Sequence, residues 1–172
     1  MDTLIRHLKS QIHDTHEWAN KLTHGLKEEK WFLTPDVIDT NIAWQIGHLT
    51  LSQYYYTIVL LHGPDRLLAN QLDMQKYSEL FAKGDKRKEL LTRVTAHELE
   101  EKWHIMQDHT LESIADLQDK ELKDVTFQTQ RPHPFVKTIE NAISWNIKHT
   151  MWHCGQMAIL KRIVDERYDF GF

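Results

Sequence analysis

The chain has a single cysteine in 172 residues, with six glycines, four prolines and no long hydrophobic run. One cysteine excludes an internal disulfide and suits a reducing compartment. The longest apolar run, residues 54–61, is far too short to span a bilayer, so we expect no membrane association. The first residues enter a charged amphipathic pattern without signal-peptide features, and we therefore expect a cytoplasmic protein.

The chain also lacks an excess of positive charge. Its formal net charge of -4 argues against a nucleic-acid surface, because no basic stripe is available to neutralise phosphates. Hydrophobic residues make up 41% and charged residues 27%, which is typical of a globular protein. At this length one domain over residues 1–172 can bury a core without a structural metal, so any metal is expected to serve function.

Hydrophobic periodicity predicts helices and no strands. A long connection over residues 64–85 should contain a short helix from about Met74 to Phe81, and prolines exclude regular structure from the loop 127–135. We predict an all-α four-helix bundle with a long crossover connection and a short extra helix. The four predicted long helices run from about Asp2 to Thr23, Asp39 or Thr40 to His62, Thr92 to Gln118, and Thr138 to Asp165.

The most informative stretch of the sequence lies in the fourth helix, where His149 and His153 are four residues apart. On an α-helix this spacing places both imidazoles on one face, one turn apart. The same face continues through Trp145 and Leu160 and is mostly apolar. A buried histidine needs a polar partner. A shared metal ion would satisfy both rings, and separate hydrogen bonds within the core are the alternative.

A third histidine, His48, lies on an apolar face of the second helix together with Trp44 and Tyr55. Gly47 beside it permits close approach of a neighbouring helix or of a ligand. If His48 faces the His149 and His153 pair across the bundle, three neutral nitrogens can bind one metal. Three protein ligands leave at least one coordination position open, which is typical of catalytic rather than structural sites.

The placement of His48 in the second helix, with His149-x3-His153-x-Gly155-Gln156 in the fourth, resembles the DinB-like (DinB/YfiT) superfamily. The resemblance covers essentially the full chain. It implies a divalent metal, commonly nickel or zinc, bound by three histidines that match His48, His149 and His153. Characterised relatives use the metal to activate a low-molecular-weight thiol for transfer or isomerisation. Many members are dimers, so the resemblance also implies a homodimer.

Two classes of function follow. A divalent ion with an open position can lower the pKa of bound water or deprotonate a thiol, so an enzyme would be a thiol transferase or a hydrolase of a small-molecule substrate. The alternative is a metal-binding or interaction bundle without turnover. A cavity with polar groups beside the metal would favour an enzyme, whereas a metal sealed by side chains would favour the non-catalytic alternative.

Several polar and aromatic residues near the histidines are candidates for binding a cofactor. The side-chain amides of Gln45, Asn146 and Gln156 could hydrogen-bond a metal-bound ligand, or they could be ordinary interhelical amides. Aromatic residues beside the histidines could line a substrate pocket or simply fill the core. These aromatic residues are Trp44, Trp145 and Trp152.

Other chemistry-bearing residues are given simpler interpretations. Cys154 is turned about 100° from His153 on the helix, which predicts a buried structural thiol. Glu101 and His104 form the chain's only Glu-x2-His motif, and di-iron bundles need two, so this face is expected to be solvated. His133 is expected in a surface loop, with an approach to the open end of the site as the alternative. Four further histidines are expected at the surface, namely His7, His13, His16 and His24.

Overall fold

The computed structural model describes residues 2–82, 87–169 and 171, and this part of the chain is built of helices. Its α-helices are α1 (Thr3–Thr23), α2 (Glu28–Trp31), α3 (Ile42–Gln53), α4 (Leu60–His62), α5 (Arg66–Gln71), α6 (Met74–Phe81), α7 (Arg87–Arg93), α8 (Ala96–Ile114) and α9 (Ile139–Val164). A π-helical segment (Tyr54–Val59) joins α3 to α4, and a 3-10 turn (Glu121–Lys123) follows α8. Within the described ranges the only β-type pairing is an isolated bridge between Val125 and Thr138. None of these helices is both long and apolar enough to cross a membrane.

The bundle is formed by α1, α8, α9 and the continuous run from α3 to α4, which confirms the predicted all-α architecture. Helix α1 packs on α9 and α8, and α3 packs on α8, α9 and α6. Apolar residues three or four positions apart give α1 one buried face, as expected for a helix against a core. Each buried leucine or isoleucine side chain contributes roughly 1.5–3 kcal/mol, and a buried alanine contributes less. These side chains in α1 are Ile5, Leu8, Ile12, Ala19 and Leu22.

Several predicted boundaries are confirmed. The short helix α6 spans Met74–Phe81, and the second long helix ends at His62, where Gly63 has a φ of 89°. Thr138 precedes α9 and accepts a hydrogen bond from the backbone N–H of the first turn. The predicted connection 64–85 is largely helical where it is described, and its last three residues, 83–85, lie outside the described part of the chain.

The prediction of one third helix from Thr92 to Gln118 is wrong at both ends, because α8 spans only Ala96–Ile114. Thr95 has extended backbone, and its Oγ1 accepts a hydrogen bond from the N–H of Glu98 at 3.0 Å. A threonine that caps a helix N-terminus satisfies an otherwise orphaned donor, which a mid-helix threonine does not. The chain before this cap forms the separate helix α7.

The predicted start of the first helix at about Asp2 is close to the observed one, but the side chain of Asp2 makes no capping hydrogen bond to α1. The carboxylate of Asp119 takes this role and accepts the N–H groups of Thr3 at 3.0 Å and Ile5 at 2.8 Å. These backbone hydrogen bonds hold the pKa of Asp119 below its usual value, the bond from Ile5 contributing most. A cap supplied from a residue more than a hundred positions away leaves no local signal in the sequence.

His16 is buried rather than exposed, which corrects the surface prediction for this residue. Its ring Nε2–H donates to Gln53 Oε1 at 3.1 Å, and Thr110 Oγ1 donates to the same oxygen at 2.9 Å. Burial lowers the pKa of His16 to about 4, so the ring is neutral at pH 7. The other three histidines of this group, His7, His13 and His24, are exposed as predicted.

Candidate metal centre

The structure brings together the three histidines that the sequence singled out. His48 lies on α3, and His149 and His153 lie one turn apart on α9. The Nε2 atom of His149 lies 3.4 Å from Nε2 of His48 and 3.1 Å from Nε2 of His153. One ring nitrogen from each histidine lies within 4.8 Å of the other two. The first two rings are half-buried, and His153 is buried.

The ring of His48 is oriented by the last residue of α6. Its Nδ1–H donates to the backbone carbonyl of Phe81 at 2.8 Å, which leaves the Nε2 lone pair facing the other two histidines. Gly47 makes this contact possible, because a Cβ at this position would lie 2.4 Å from the Phe81 ring. The predicted role of Gly47 in allowing close helix approach is confirmed.

The ring of His153 is oriented by an amide that is itself held in place. Its Nδ1–H donates to Gln45 Oε1. The amide nitrogen of Gln45 donates to Thr40 Oγ1 and to Gln156 Oε1, both at 2.9 Å, so its oxygen must point towards the histidine. Gln45 and Gln156, predicted as candidates for contacting a bound ligand, therefore contact each other in this structure, and Gln45 also contacts His153.

Aromatic side chains lie beside His149. The ring centroid of Tyr56 lies 6.1 Å from that of His149, and Tyr56 belongs to the π-helical segment. Segments of this kind are frequent at functional sites. His133 is half-buried and lies 5.6 Å from Tyr56 and 5.3 Å from Trp145 between ring centroids, so its loop borders the site. Among the described residues, the buried Nδ1 of His149 has no hydrogen-bond partner.

The three histidines are neutral at pH 7. Burial, followed by the charges of the neighbouring histidines, lowers the pKa of His149 to about 4 and that of His153 to about 3. Burial also lowers the pKa of His48, against the opposing effect of its hydrogen bond to Phe81. Neutral rings are the form that binds a metal, because each then offers a lone pair.

The separations of His149 Nε2 from the other two Nε2 atoms fit a shared cation. Two ligands with metal–nitrogen bonds of about 2.0–2.1 Å in a tetrahedral arrangement lie about 3.3 Å apart, and the observed separations are 3.4 and 3.1 Å. The Nδ1 protons of His48 and His153 are directed to carbonyl oxygens, so both Nε2 lone pairs point at His149. His149 Nε2 carries at most one proton, so it can donate a hydrogen bond to only one of these two lone pairs. A cation between the rings satisfies all three.

A cavity of about 440 Å³ borders His153. Trp44 forms part of its wall and stacks on the ring of His48, with centroids 4.7 Å apart and planes 9° apart. Polar lining is provided by Gln45, Gln156 and Arg87. This volume lies in the range of small-molecule sites.

The remaining candidates are not part of this cavity. Trp145 does not line this cavity and packs against His133 and Phe135. Trp152 is 66% exposed, so the idea that it lines the pocket is wrong. Asn146 is fully buried, and within the described part of the chain neither atom of its side-chain amide has a hydrogen-bond partner.

The simpler interpretations of two other features are confirmed. Cys154 is buried, with its Sγ 4.0 Å from the backbone carbonyl of Thr15, and burial raises the pKa of this thiol to about 12. Such a thiol is inert. Glu101 and His104 on α8 are exposed, as expected for a solvated face.

Three parts of the site were not found from the sequence. The carbonyl of Phe81 carries no side-chain signal, although the glycine beside His48 indicated a close neighbour. Tyr56 reaches the site through a π-helical turn, which breaks the α-helical periodicity used to assign faces. Arg87 reaches the cavity from α7, most of which lies between the predicted connection 64–85 and the predicted start of the third helix at about Thr92.

Comparisons with known proteins support the same architecture. A conserved protein from Enterococcus faecalis has a fold similar to this chain, with a TM-score of 0.70 and 15% sequence identity over 94% of this chain and 96% of the other. A protein from Streptococcus pneumoniae is similar with a TM-score of 0.66 and 15% identity, over 93% of this chain and 91% of the other. A comparison with curated proteins gave no significant match. The family model of the DinB superfamily matches residues 11–157, so the chain belongs to the DinB superfamily.

Proposed function

We propose that this protein binds one divalent metal ion, nickel or zinc, through His48, His149 and His153, and that it uses the ion to activate a small thiol for transfer to an electrophilic substrate. Imidazole ligands suit both metals. The observation that carries the proposal is the convergence of three neutral Nε2 atoms, two of them fixed by Nδ1–H hydrogen bonds to carbonyl oxygens. Membership of the DinB superfamily supports the same assignment.

The chain's own residues have distinct roles in this proposal. Gln45 and the carbonyl of Phe81 orient two ligand rings and raise their basicity. Trp44, stacked on His48, excludes water from one side of the ring. When bound, the ion would supply Lewis-acid chemistry that favours the deprotonated form of a thiol or of water.

An enzyme is favoured over a metal-binding protein without turnover because a cavity of about 440 Å³ with polar lining borders His153. Hydrolysis of a small substrate remains the alternative reaction, since the same three ligands can activate water. Turnover of an electrophile only when a low-molecular-weight thiol is added would support transfer, whereas turnover without thiol would support hydrolysis. Metal binding with neither activity would favour the non-catalytic alternative.

We also expect one domain that forms a homodimer, as the resemblance to dimeric family members implies. Helix α9 directs a stripe of apolar side chains to solvent, from Trp152 through Ile159 to Ile163. Exposed apolar stripes are typical of interaction surfaces. Light scattering on the purified chain measures the mass directly, and a monomer at every concentration tested would contradict this expectation.

Titration of zinc or nickel into chelator-treated protein tests the metal site. The substitution His149→Ala should abolish tight binding and leave the helical circular dichroism nearly unchanged, because the half-buried ring supplies a ligand rather than core packing. The matched control His104→Ala removes an exposed histidine from α8 and should bind as the wild type does. Loss of folding on His149→Ala, or undiminished binding, would contradict the proposal.

A further inference from the structure

Arg87 places a guanidinium in the wall of the cavity that borders His153. We propose that this cavity binds a small anionic molecule, with its carboxylate or phosphate group on Arg87 and its other end directed towards His153. The role of this molecule in a reaction rests on the proposed function, because the molecule would then be the substrate or thiol cofactor of the metal centre. Its binding to the cavity can be tested without the metal.

The two members of the Arg87 ion pair differ sharply in burial. The guanidinium of Arg87 contacts the carboxylate of Asp39, and the side chain of Arg87 is only 12% exposed whereas that of Asp39 is 91% exposed. The side chain of Arg87 is therefore fixed within the protein, whereas the exposed carboxylate of Asp39 can turn into solvent. An anion entering the cavity can replace Asp39 without leaving a buried carboxylate behind.

The chemistry of the wall suits such an occupant. A guanidinium binds carboxylate and phosphate groups through paired N–H donors, and it gains strength where water is excluded. Trp44 offers a flat apolar surface, and Gln156 offers an amide beside it. This combination of apolar wall and few polar groups is typical of small-molecule sites.

The same ion pair also borders a second cavity of about 260 Å³, whose lining includes Phe32 and Leu91. An anion could approach Arg87 from either side. Only the first cavity contains Trp44 and His153, and only the second contains Leu91. We assign the anion to the first cavity, because there it lies beside the metal-site histidines. NMR signals of Trp44 and Leu91 therefore distinguish binding in the first cavity from binding in the second.

The test uses the full chain freed of metal by chelation and two probes at constant ionic strength, inorganic phosphate and succinate. The indole N–H signal of Trp44 is followed by NMR and assigned with Trp44→Phe. We expect a saturable shift of this signal with at least one probe, and the preferred probe identifies the group. Arg87→Gln should weaken binding about tenfold or more, since a charge-assisted pair is lost. The control Arg93→Gln removes an arginine of the same helix, paired with Glu79 and 39% exposed, and should bind as the wild type does.

The opposite change is expected for Asp39→Asn, which removes the competing carboxylate and should tighten binding several-fold. Asp39 is so exposed that this variant keeps the test valid even if Arg87→Gln fails to fold. Absence of a saturable shift with both probes, equal affinity in Arg87→Gln, or a shift at Leu91 without one at Trp44 would overturn the proposal. So would unchanged or weaker binding in Asp39→Asn. Because no metal is present, failure here is distinct from failure to bind zinc or nickel.

Discussion

Gln45 shows how one amide can set the chemistry of a histidine. Its nitrogen is committed to Thr40 and Gln156, so its oxygen faces the Nδ1–H of His153. This arrangement fixes the ring tautomer and aims Nε2 at the other two histidines. The sequence placed Gln45 near the site, but only the structure shows that it hydrogen-bonds the ring of His153.

Replacing Gln45 by leucine tests this role. Gln45→Leu keeps the side-chain volume but removes the acceptor, so metal affinity should fall about 10- to 100-fold while the protein remains folded. Competition with a chromophoric chelator measures the affinity. The control Gln71→Leu alters an exposed glutamine in α5 and should leave affinity unchanged. Equal affinity in all three proteins would show that the hydrogen bond does not support the site.

The burial of His16 predicts how the free energy of unfolding depends on pH. Its pKa falls from 6.5 to about 4 on burial, so the unfolded chain takes up the proton first as the pH drops. The stability due to its neutral form is therefore present above pH 6.5 and is lost as the pH falls towards 4. Between pH 7 and about 4.5, the free energy of unfolding of metal-free wild type should fall by about 2 kcal/mol more than that of His16→Gln.

Urea denaturation of both proteins across this pH range measures the difference. The three metal-site histidines also favour unfolding at low pH, but they contribute equally to both proteins. Parallel pH profiles would show that His16 does not titrate as its burial implies.

The histidines also show which positions can be predicted from local sequence patterns. His149 and His153 were recognised by a shared apolar face, whereas His16 pairs with Gln53 on another helix, which no local pattern records.

The contact between α3 and α6 links helix packing to the metal site. Gly47 lets the Phe81 ring approach α3, and the carbonyl of Phe81 then orients His48. The sequence predicted the bounds of α6 and the end of the second long helix at His62, because apolar periodicity and stop signals are local, but it did not predict the π-helical segment that follows α3. It missed the break before α8, although the cap by Thr95 is a local hydrogen bond to the N–H of Glu98. It also missed the capping of α1 by Asp119, because that contact joins residues more than a hundred positions apart.

Two glycine substitutions separate packing from helix propensity. In Gly47→Ala the new methyl group meets the Phe81 ring, so we expect a loss of about 1–3 kcal/mol in stability and weaker metal binding as His48 loses its orientation. In Gly155→Ala a Cβ meets no atom within 4 Å, so a gain of about 0.5–1 kcal/mol is expected from helix propensity. Thermal unfolding and metal titration of both variants provide the measurements. Normal stability and affinity in Gly47→Ala would contradict the proposed link.

The whole molecule keeps its fold although its sequence shares only 15% identity with the similar structures from Enterococcus faecalis and Streptococcus pneumoniae. The architecture was predictable because it follows from the spacing of apolar residues on four long helices. The three histidines were predictable because two share a helix face and the third lies beside a glycine. The cavity and its arginine were not, since they arise where α3, α7 and α9 meet.

The central claim is that His48, His149 and His153 together hold one metal ion. The most direct test is the metal content of the purified, tag-free protein by elemental mass spectrometry, beside the triple variant His48→Ala, His149→Ala and His153→Ala. We predict about one nickel, zinc or similar divalent ion per chain in the wild type and none in the variant. A wild-type protein that remains free of metal even after reconstitution, or a variant that retains the ion, would contradict the account.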